Sequence, residues 1–483
     1  MSAEAILNFN LVCCALGGFV TLFGLVSYLL KEGFYVTEPL VSLTAGAFLS
    51  PYGLNLIRPL EYAGSQEAID TITLCFTRLV LGVQLVIAGV QLPHKYLKTE
   101  WRSLAILLGP GMMTMWIVTS LLVWKLVPGL TLVQGLIVGA CVTPTDPVLS
   151  NSIVKGKFAD KHISTPLQRI ILAESGANDG LGYLFLFLPL YIVGFSGSDG
   201  GTEKAVTSWL GDTCFYTVFL SVVYGAVAGW AAKEALFWAE RRRLVDKESF
   251  HLFVVALALF IIGTVGLIDA DDVLACFIAG NTFTWDDWFR QQTEDDSLQP
   301  IMDLLLNVAV FMWAGAVCPW ETFLSNDIIP VHRLVLLGIL VLLLRRLPMV
   351  FALRKQIHQI HTTRHALLTG FFGPIGISAI FYLYVTLDFL RDVQVRDPGR
   401  GDCEKLAEVT LVTVWWLVIT SVIVHGLSIP LANLALYLKQ FLRSARRWGF
   451  KKEESPRGSE EAGRGSHDPE RWPLLAERSE SAC

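Results

Sequence analysis

Mostly apolar blocks recur along this chain, at roughly 7–30, 39–57, 71–92, 103–124, 131–153, 166–195, 211–238, 250–268, 270–284, 300–318, 328–350, 365–387 and 408–438. A helical block of about 20 residues, rising about 1.5 Å per residue, matches the roughly 30 Å hydrocarbon core of a bilayer. A soluble domain of 483 residues could not cover a 53% hydrophobic content with 17% charged residues, because the fraction buried grows only slowly with length. The expectation is an all-α polytopic membrane protein of about thirteen transmembrane helices. The first block lacks a basic lead-in and a cleavage site and is too long for a signal peptide, so it reads as a spanning helix.

Basic residues order the loops. Lys95, Lys98 and Arg102; Lys155, Lys157, Lys161 and Arg169; Lys233, Arg241, Arg242, Arg243 and Lys247; Arg354, Lys355 and Arg364; and Arg443, Arg446, Arg447, Lys451 and Lys452 share one side if the N-terminus lies outside. The positive-inside rule makes that side cytoplasmic. The acidic 285–299 loop (Asp286, Asp287, Glu294, Asp295, Asp296) falls on the same side, which the rule tolerates; the external 388–407 loop, with four basic residues, is an objection. The expected organisation is a transmembrane domain over 1–440 and a short, disordered cytoplasmic tail over 441–483, rich in Glu, Arg, Ser, Gly and Pro. The nine cysteines form no C-x-x-C pair, and those in apolar blocks read as small buried hydrophobes.

Ionisable residues at membrane depth cost several kcal/mol and need a partner, a water cavity or a function. In Thr143-Pro144-Thr145-Asp146-Pro147-Val148, two prolines remove backbone donors and break the fifth span. Free backbone groups at that depth are tolerated where they line a cavity. Asp146 there is placed to hold a cation, or else to cap the second half-helix. In Ala173-Glu174-Ser175-Gly176-Ala177-Asn178-Asp179-Gly180, Glu174 and Asn178 share a helix face and Asp179 lies about 100° further round. A carboxyl group in apolar surroundings favours its neutral form, so it can hold a proton or a cation but not both, and an exchanger needs that competition. The alternative, a helix-end cap, conflicts with the apolar sequence running on through it. In Gly370-Phe371-Phe372-Gly373-Pro374-Ile375-Gly376-Ile377-Ser378-Ala379, three glycines and a proline mark a second unwound stretch, and one interrupted span in each half points to inverted repeats with a midplane site.

Other charges are softer signals. Arg345 or Arg346 could pair with Glu174 or face the broken-helix carbonyls, or the two could be a snorkelling interfacial pair. Asp271 and Asp272, with Asp269, form an external cation vestibule or a plain polar turn. His425 is a packing histidine or a proton relay.

These residues resemble the fungal plasma-membrane Na+/H+ antiporters of the monovalent cation:proton antiporter superfamily. The resemblance rests on Thr145-Asp146-Pro147-Val148-Leu149, Gly156-Lys157-Phe158-Ala159, Ala173-Glu174-Ser175-Gly176 with Asn178-Asp179-Gly180, Phe277-Ile278-Ala279-Gly280-Asn281, Gly373-Pro374-Ile375-Gly376 and Ile423-Val424-His425-Gly426, in order to about residue 430. It implies the bacterial sodium/proton antiporter-like fold: two inverted repeats, two crossed broken helices and a separate dimerisation domain. It implies Asp179 as carrier of the proton or of the transported Na+ or Li+, Asn178 beside it, Asp146 and Thr145 at the crossing, and Glu174 as structural partner of a cationic residue. Gly373, Pro374 and Gly376 would shape the second break. Homodimers, Na+, Li+ and K+ as candidate cations, a plasma-membrane location, a role in salt tolerance and electroneutral exchange belong to the same expectation, with no cofactor and no nucleic-acid partner.

Rival classes fit less well. No T-V-G-Y-G filter supports a channel, no Gly-x-Gly-Asp within an apolar block an intramembrane aspartyl protease, and no G-x-S-x-G, H-E-x-x-H or G-x-x-x-x-G-K a hydrolase or ATP-driven pump. Within exchangers, a K+/H+ or endosomal or vacuolar antiporter shares the same machinery.

Overall fold

The computed structural model describes the chain apart from residues 1–2, 29, 31–35, 148, 151–162, 197–199, 294–297, 327 and 452–483. Gly156-Lys157-Phe158-Ala159, Val148, Glu294, Asp295, Asp296, Lys155 and Lys161 lie outside the described residues, as does the expected tail beyond Lys451. Among the described residues the structure is helical, without strands. Nine helices there are long and apolar enough to cross a membrane. The principal helices are α1 (Ala3–Tyr28), α2 (Glu38–Leu49), α3 (Gln66–Gln91), α4 (Trp101–Leu126), α5 (Leu132–Cys141), α6 (Thr165–Gly194), α7 (Gly201–Arg241) and α8 (Lys247–Gly266). They continue as α9 (Asp272–Phe283), α10 (Leu298–Val317), α11 (Val331–Leu344), α12 (Leu347–Leu353), α13 (Thr363–Phe371), α14 (Ile377–Arg396) and α15 (Gly401–Lys451).

Each expected apolar block contains helix, and the departures have local causes. The second block reaches only Leu49, because Pro51 and Gly53 follow in a turn where Gly53 N–H bonds the Ser50 carbonyl at 3.0 Å. The twelfth splits into α13 and α14 around Phe372–Gly376, as its glycines and proline require. α14 then runs on to Arg396, so most of the expected 388–407 loop is helix. Two of its four basic residues are closely paired: Arg391 with Asp70 at 3.1 Å, and Arg400 with Asp402 at 2.7 Å. The acids of the 285–299 loop are partly matched too, Asp286 by Lys233 at 2.8 Å and Asp287 by Arg290 at 2.6 Å. The hydrogen bond from Arg290 holds the Asp287 carboxyl below the usual carboxylate range.

The chain divides into Met1–Leu431 and Ala432–Cys483. In the first unit, α10 lies on α2, α9 on α3 and α7, and α5 on α4 and α6. α6 also meets α9 and α14, and α14 meets α3 and α5. The middle of α6 is thereby enclosed on several sides, and its residues from Ile170 to Gly180 are all buried. Close approach is needed there: a Cβ added to Gly180 would sit 2.7 Å from the Leu274 Cα of α9. In the second unit the helix continues to Lys451, so residues 441–451 of the expected tail are helical.

Candidate functional site

The two broken stretches meet through their backbones and through one carboxylate. The Asp146 N–H donates to the Pro374 carbonyl at 3.0 Å. Asp146 Oδ1 accepts the Leu149 N–H at 2.9 Å, capping the helical turn that opens at Pro147. Its Oδ2 accepts the N–H of Ile377, the first residue of α14. Asp146 therefore closes two half-helix N-termini at once, where orphan N–H groups and the positive ends of two helix dipoles favour an anion. The capping alternative is realised twice over. Gly376 leaves room for this: an added Cβ would lie 2.9 Å from the Asp146 Cβ. Gly376→Ala should therefore displace the Asp146 carboxylate, at a cost of about 1–3 kcal/mol, and lower cation affinity and the unfolding midpoint together. Cation-dependent thermal shift measurements check both.

The C-terminal end of the α5 half-helix is met by a cation. Arg345 Nη2 donates to the carbonyls of Thr143 at 2.9 Å and Pro144 at 3.0 Å, matching the negative end of that helix. Its neighbour turns the other way. Arg346 donates from Nη1 to Glu174 Oε1 at 2.5 Å and from Nη2 to Oε2 at 2.7 Å, and from Nε to the Thr369 carbonyl at 2.8 Å. Arg345 and Arg346 are each 3% exposed and Glu174 1%, so a snorkelling pair is ruled out. Gly373 packs against the Arg346 side chain.

Between these fixed points lies a polar cluster on α6. Asn178 accepts the Thr145 N–H through Oδ1 at 3.1 Å and donates from Nδ2 to Thr145 Oγ1 at 2.8 Å. Thr145 Oγ1 and Ser175 Oγ are 3.0 Å apart, and Ser175 reaches Ser150 at 3.3 Å. Asn178 thus holds the first break against α6. Asp179 is different: it is fully buried, and neither carboxylate oxygen makes a hydrogen bond. The Ser378 hydroxyl, also without a hydrogen bond, lies beside it. The Tyr382 hydroxyl fixes the backbone behind it, donating to the Asp179 carbonyl and, at 3.4 Å, to that of Gly180. A charged carboxylate left so would be costly; protonated, or bound to a cation that also takes neighbouring oxygens, it is satisfied.

Of the softer candidates, Asp271 lies within electrostatic reach of Asp179 and has one buried oxygen without a hydrogen bond, while the others serve pairing or packing. Asp271 caps α9 through Leu274 N–H at 2.9 Å, and Asp272 pairs with Arg78 at 2.6 Å. Both are buried, at 0% and 2% exposure, so they form no open vestibule. Although the Arg78 side chain is 33% exposed, that of Asp272 is 3% exposed, so Arg78→Gln strands a buried carboxylate and should cost about 1–3 kcal/mol, read as a lowered unfolding midpoint. His425 approaches the Ser421 carbonyl with Nδ1 at 2.8 Å and the Phe371 carbonyl with Nε2 at 3.0 Å, while Ser421 Oγ accepts Ile375 N–H at 2.8 Å. It braces the second break. The sequence reading missed Tyr382 and Arg78 and gave Ser378 no role. Tyr382 carried a usable signal: it stands five residues after Ile377, in a helix that had to face the Asn178-Asp179 stretch.

Fold and site define a multi-pass helical membrane protein with crossed broken helices around a buried carboxylate. Residues 18–433 match the family model for the transmembrane domain of sodium/hydrogen exchangers, and the chain belongs to that family. It is 37% identical over 432 residues to Na(+)/H(+) antiporter 2 of Zygosaccharomyces rouxii, covering 87% of this chain and 52% of that one. It is 36% identical over 432 residues to the Na(+)/H(+) antiporter of Saccharomyces cerevisiae, covering 87% and 43%. The chain thus spans about half the length of these curated relatives. Among solved structures, the sodium proton antiporter MjNhaP1 from Methanocaldococcus jannaschii superposes with a TM-score of 0.62 at 18% identity, over 85% of this chain and 97% of that one. That likeness supports the antiporter-type fold.

Proposed function

We propose that this chain is a secondary antiporter that exchanges Na+ for H+, with Li+ and K+ as further candidate cations. The observation that carries the reading is Asp179: a fully buried carboxylate without hydrogen bonds, set where α6 passes the two broken stretches. A proton or a dehydrated cation would satisfy it, and the two would compete. Thr145, Asn178 and Asp146 form the adjoining polar wall. Thr145 and Asn178 have oxygens near the site, whereas Asp146 contributes chiefly by holding both half-helices and by its negative charge. Glu174, Arg345 and Arg346 fix the crossing. Alternating exposure of this one site to the two sides converts the competition into exchange, and protons moving inward drive Na+ outward.

In this reading the protein works as a homodimer in the plasma membrane, with the N-terminus outside and the C-terminus in the cytoplasm, and serves salt tolerance and pH homeostasis. Similarity to fungal Na(+)/H(+) antiporters supports the cation, and the loop charges support the orientation. The test is transport by purified protein in liposomes carrying a pH gradient and a pH-sensitive dye. Na+ or Li+ should collapse the gradient and choline should not; folded protein that responds to no alkali cation would refute the proposal.

A further inference from the structure

We infer that the end of α7 binds an anionic phospholipid headgroup, through the exposed guanidinium groups of Arg241, Arg242 and Arg243. α7 stops here: Arg242 ends the helix and Arg243 turns in the left-handed region at φ 55°, its N–H bonded to the Glu240 carbonyl at 2.8 Å. Three consecutive guanidinium groups are thus displayed at a helix end. Two are oriented by aromatic rings, Arg241 over Phe237 and Arg242 over Trp238, each at 4.4 Å. Among the described residues no carboxylate pairs with any of the three: Glu240 and Glu248 are exposed and form no ion pair, and three other nearby acids are engaged elsewhere. Lys233 holds Glu234 at 2.7 Å and Asp286 at 2.8 Å, and Asp246 caps α8 by accepting Ser249 N–H at 3.0 Å. This leaves positive charge that a phosphate can neutralise bidentately.

The apolar surface beside it fits the rest of a lipid. Trp238 is 53% exposed, and Trp230 and Val227 each 58%, along one side of α7. From 227 to 238 the helix rises about 16 Å, close to half of a hydrocarbon core of about 30 Å. The indole of Trp238 stands where a membrane interface favours it. The positive-inside reading assigns this end to the leaflet that carries anionic lipids, where each basic residue contributes about 1 kcal/mol.

The experiment is thermal unfolding of the purified full chain in detergent, titrated with phosphatidylserine, phosphatidylcholine or inorganic phosphate. Phosphatidylserine alone should raise the midpoint by several degrees. In the Arg241→Gln/Arg242→Gln/Arg243→Gln protein its apparent affinity should fall about a hundredfold, from three contributions of about 1 kcal/mol, whereas the corresponding triple Lys protein should keep most of it. If the triple Gln protein does not fold, Arg242→Gln alone should lose about fivefold. Three outcomes would overturn the inference: undiminished phosphatidylserine stabilisation of a folded Gln variant, full stabilisation by inorganic phosphate, or loss of self-association in that variant without any lipid effect. The last would make this face a contact between copies.

Discussion

Asp179→Asn should reduce cation/proton exchange at least about a hundredfold while leaving the protein as stable as the wild type, or more so. Asparagine has the shape of aspartate, so packing around α6 is preserved. The wild-type carboxylate is fully buried and has no well-formed hydrogen bond, so its charged form carries a desolvation penalty with little beyond the neighbouring Ser378 hydroxyl to offset it. Removing the ionisable group removes that penalty together with the competition between proton and cation. Activity and unfolding midpoint should therefore move in opposite directions, the midpoint rising by up to a few degrees in cation-free buffer. Liposome transport and thermal unfolding of the same preparation measure both. A variant that kept more than a tenth of wild-type exchange would remove Asp179 from the carrier role.

The second large effect concerns the buried pair of Glu174 and Arg346. Its two bonds, at 2.5 and 2.7 Å, join groups 1% and 3% exposed. Deleting one partner of such a pair typically costs about 3–5 kcal/mol, because the other charge is left uncompensated. The two halves should differ. Glu174→Gln keeps the Arg346 bond to the Thr369 carbonyl at 2.8 Å, while Arg346→Gln loses that bond as well and bares a carboxylate. Arg346→Gln should therefore lower the unfolding midpoint further. Glu174→Gln combined with Arg346→Gln should recover much of the loss, giving a coupling energy of several kcal/mol in a double-mutant cycle. Additive effects of the two substitutions would show that the pair does not act as a unit.

The comparison with Arg78 and Asp272 fixes the meaning of these magnitudes. That pair is just as short, at 2.6 Å, yet one partner is a third exposed. Water at Arg78 weakens that pair. Asp272, 3% exposed, would still be left buried without a cation if Arg78 were removed, so its loss costs less than that of Arg346 without being negligible. The distance does not decide the contribution; burial does.

The parts of this molecule that could be read from the sequence are those whose signal is local. Pro144 and Pro147 break a helix wherever the chain places them, and so do Gly373, Pro374 and Gly376. Glu174, Asn178 and Asp179 were conspicuous because apolar sequence runs on both sides of them. Pairing at a distance was not legible. Arg346 meets Glu174 across 172 positions, and Arg345 and Arg346, adjacent in sequence at the bend between α11 and α12, turn to different partners; nothing local says which one turns to the carboxylate. Nor could the sequence show that Asp146 caps two half-helices, since the second N-terminus arrives from residue 377. The extension of α14 past residue 387 was hidden for a similar reason: Arg391 reads as a loop charge until Asp70, on another helix, is seen opposite it.

The asymmetry at the crossing has a mechanical consequence. Asp146, Asn178 and Tyr382 tie the two broken stretches and α6 together by hydrogen bonds to backbone groups, so the surroundings of Asp179 are fixed while its own oxygens are not. A site that must accept a proton and a cation in turn needs this division, with braced walls around an unsatisfied carboxylate.

If one buried carboxyl holds either a proton or a cation, binding of the cation must expel the proton. The most direct test is proton release on cation binding: purified protein in weakly buffered detergent, equilibrated at a pH where the site is protonated, receives NaCl while a pH electrode and a calorimeter record the response. Protons should appear in solution as Na+ binds, choline chloride should release none, and Asp179→Asn should neither bind Na+ nor release protons. Saturable Na+ binding without proton release, or release that persists in Asp179→Asn, would contradict this competition between proton and cation.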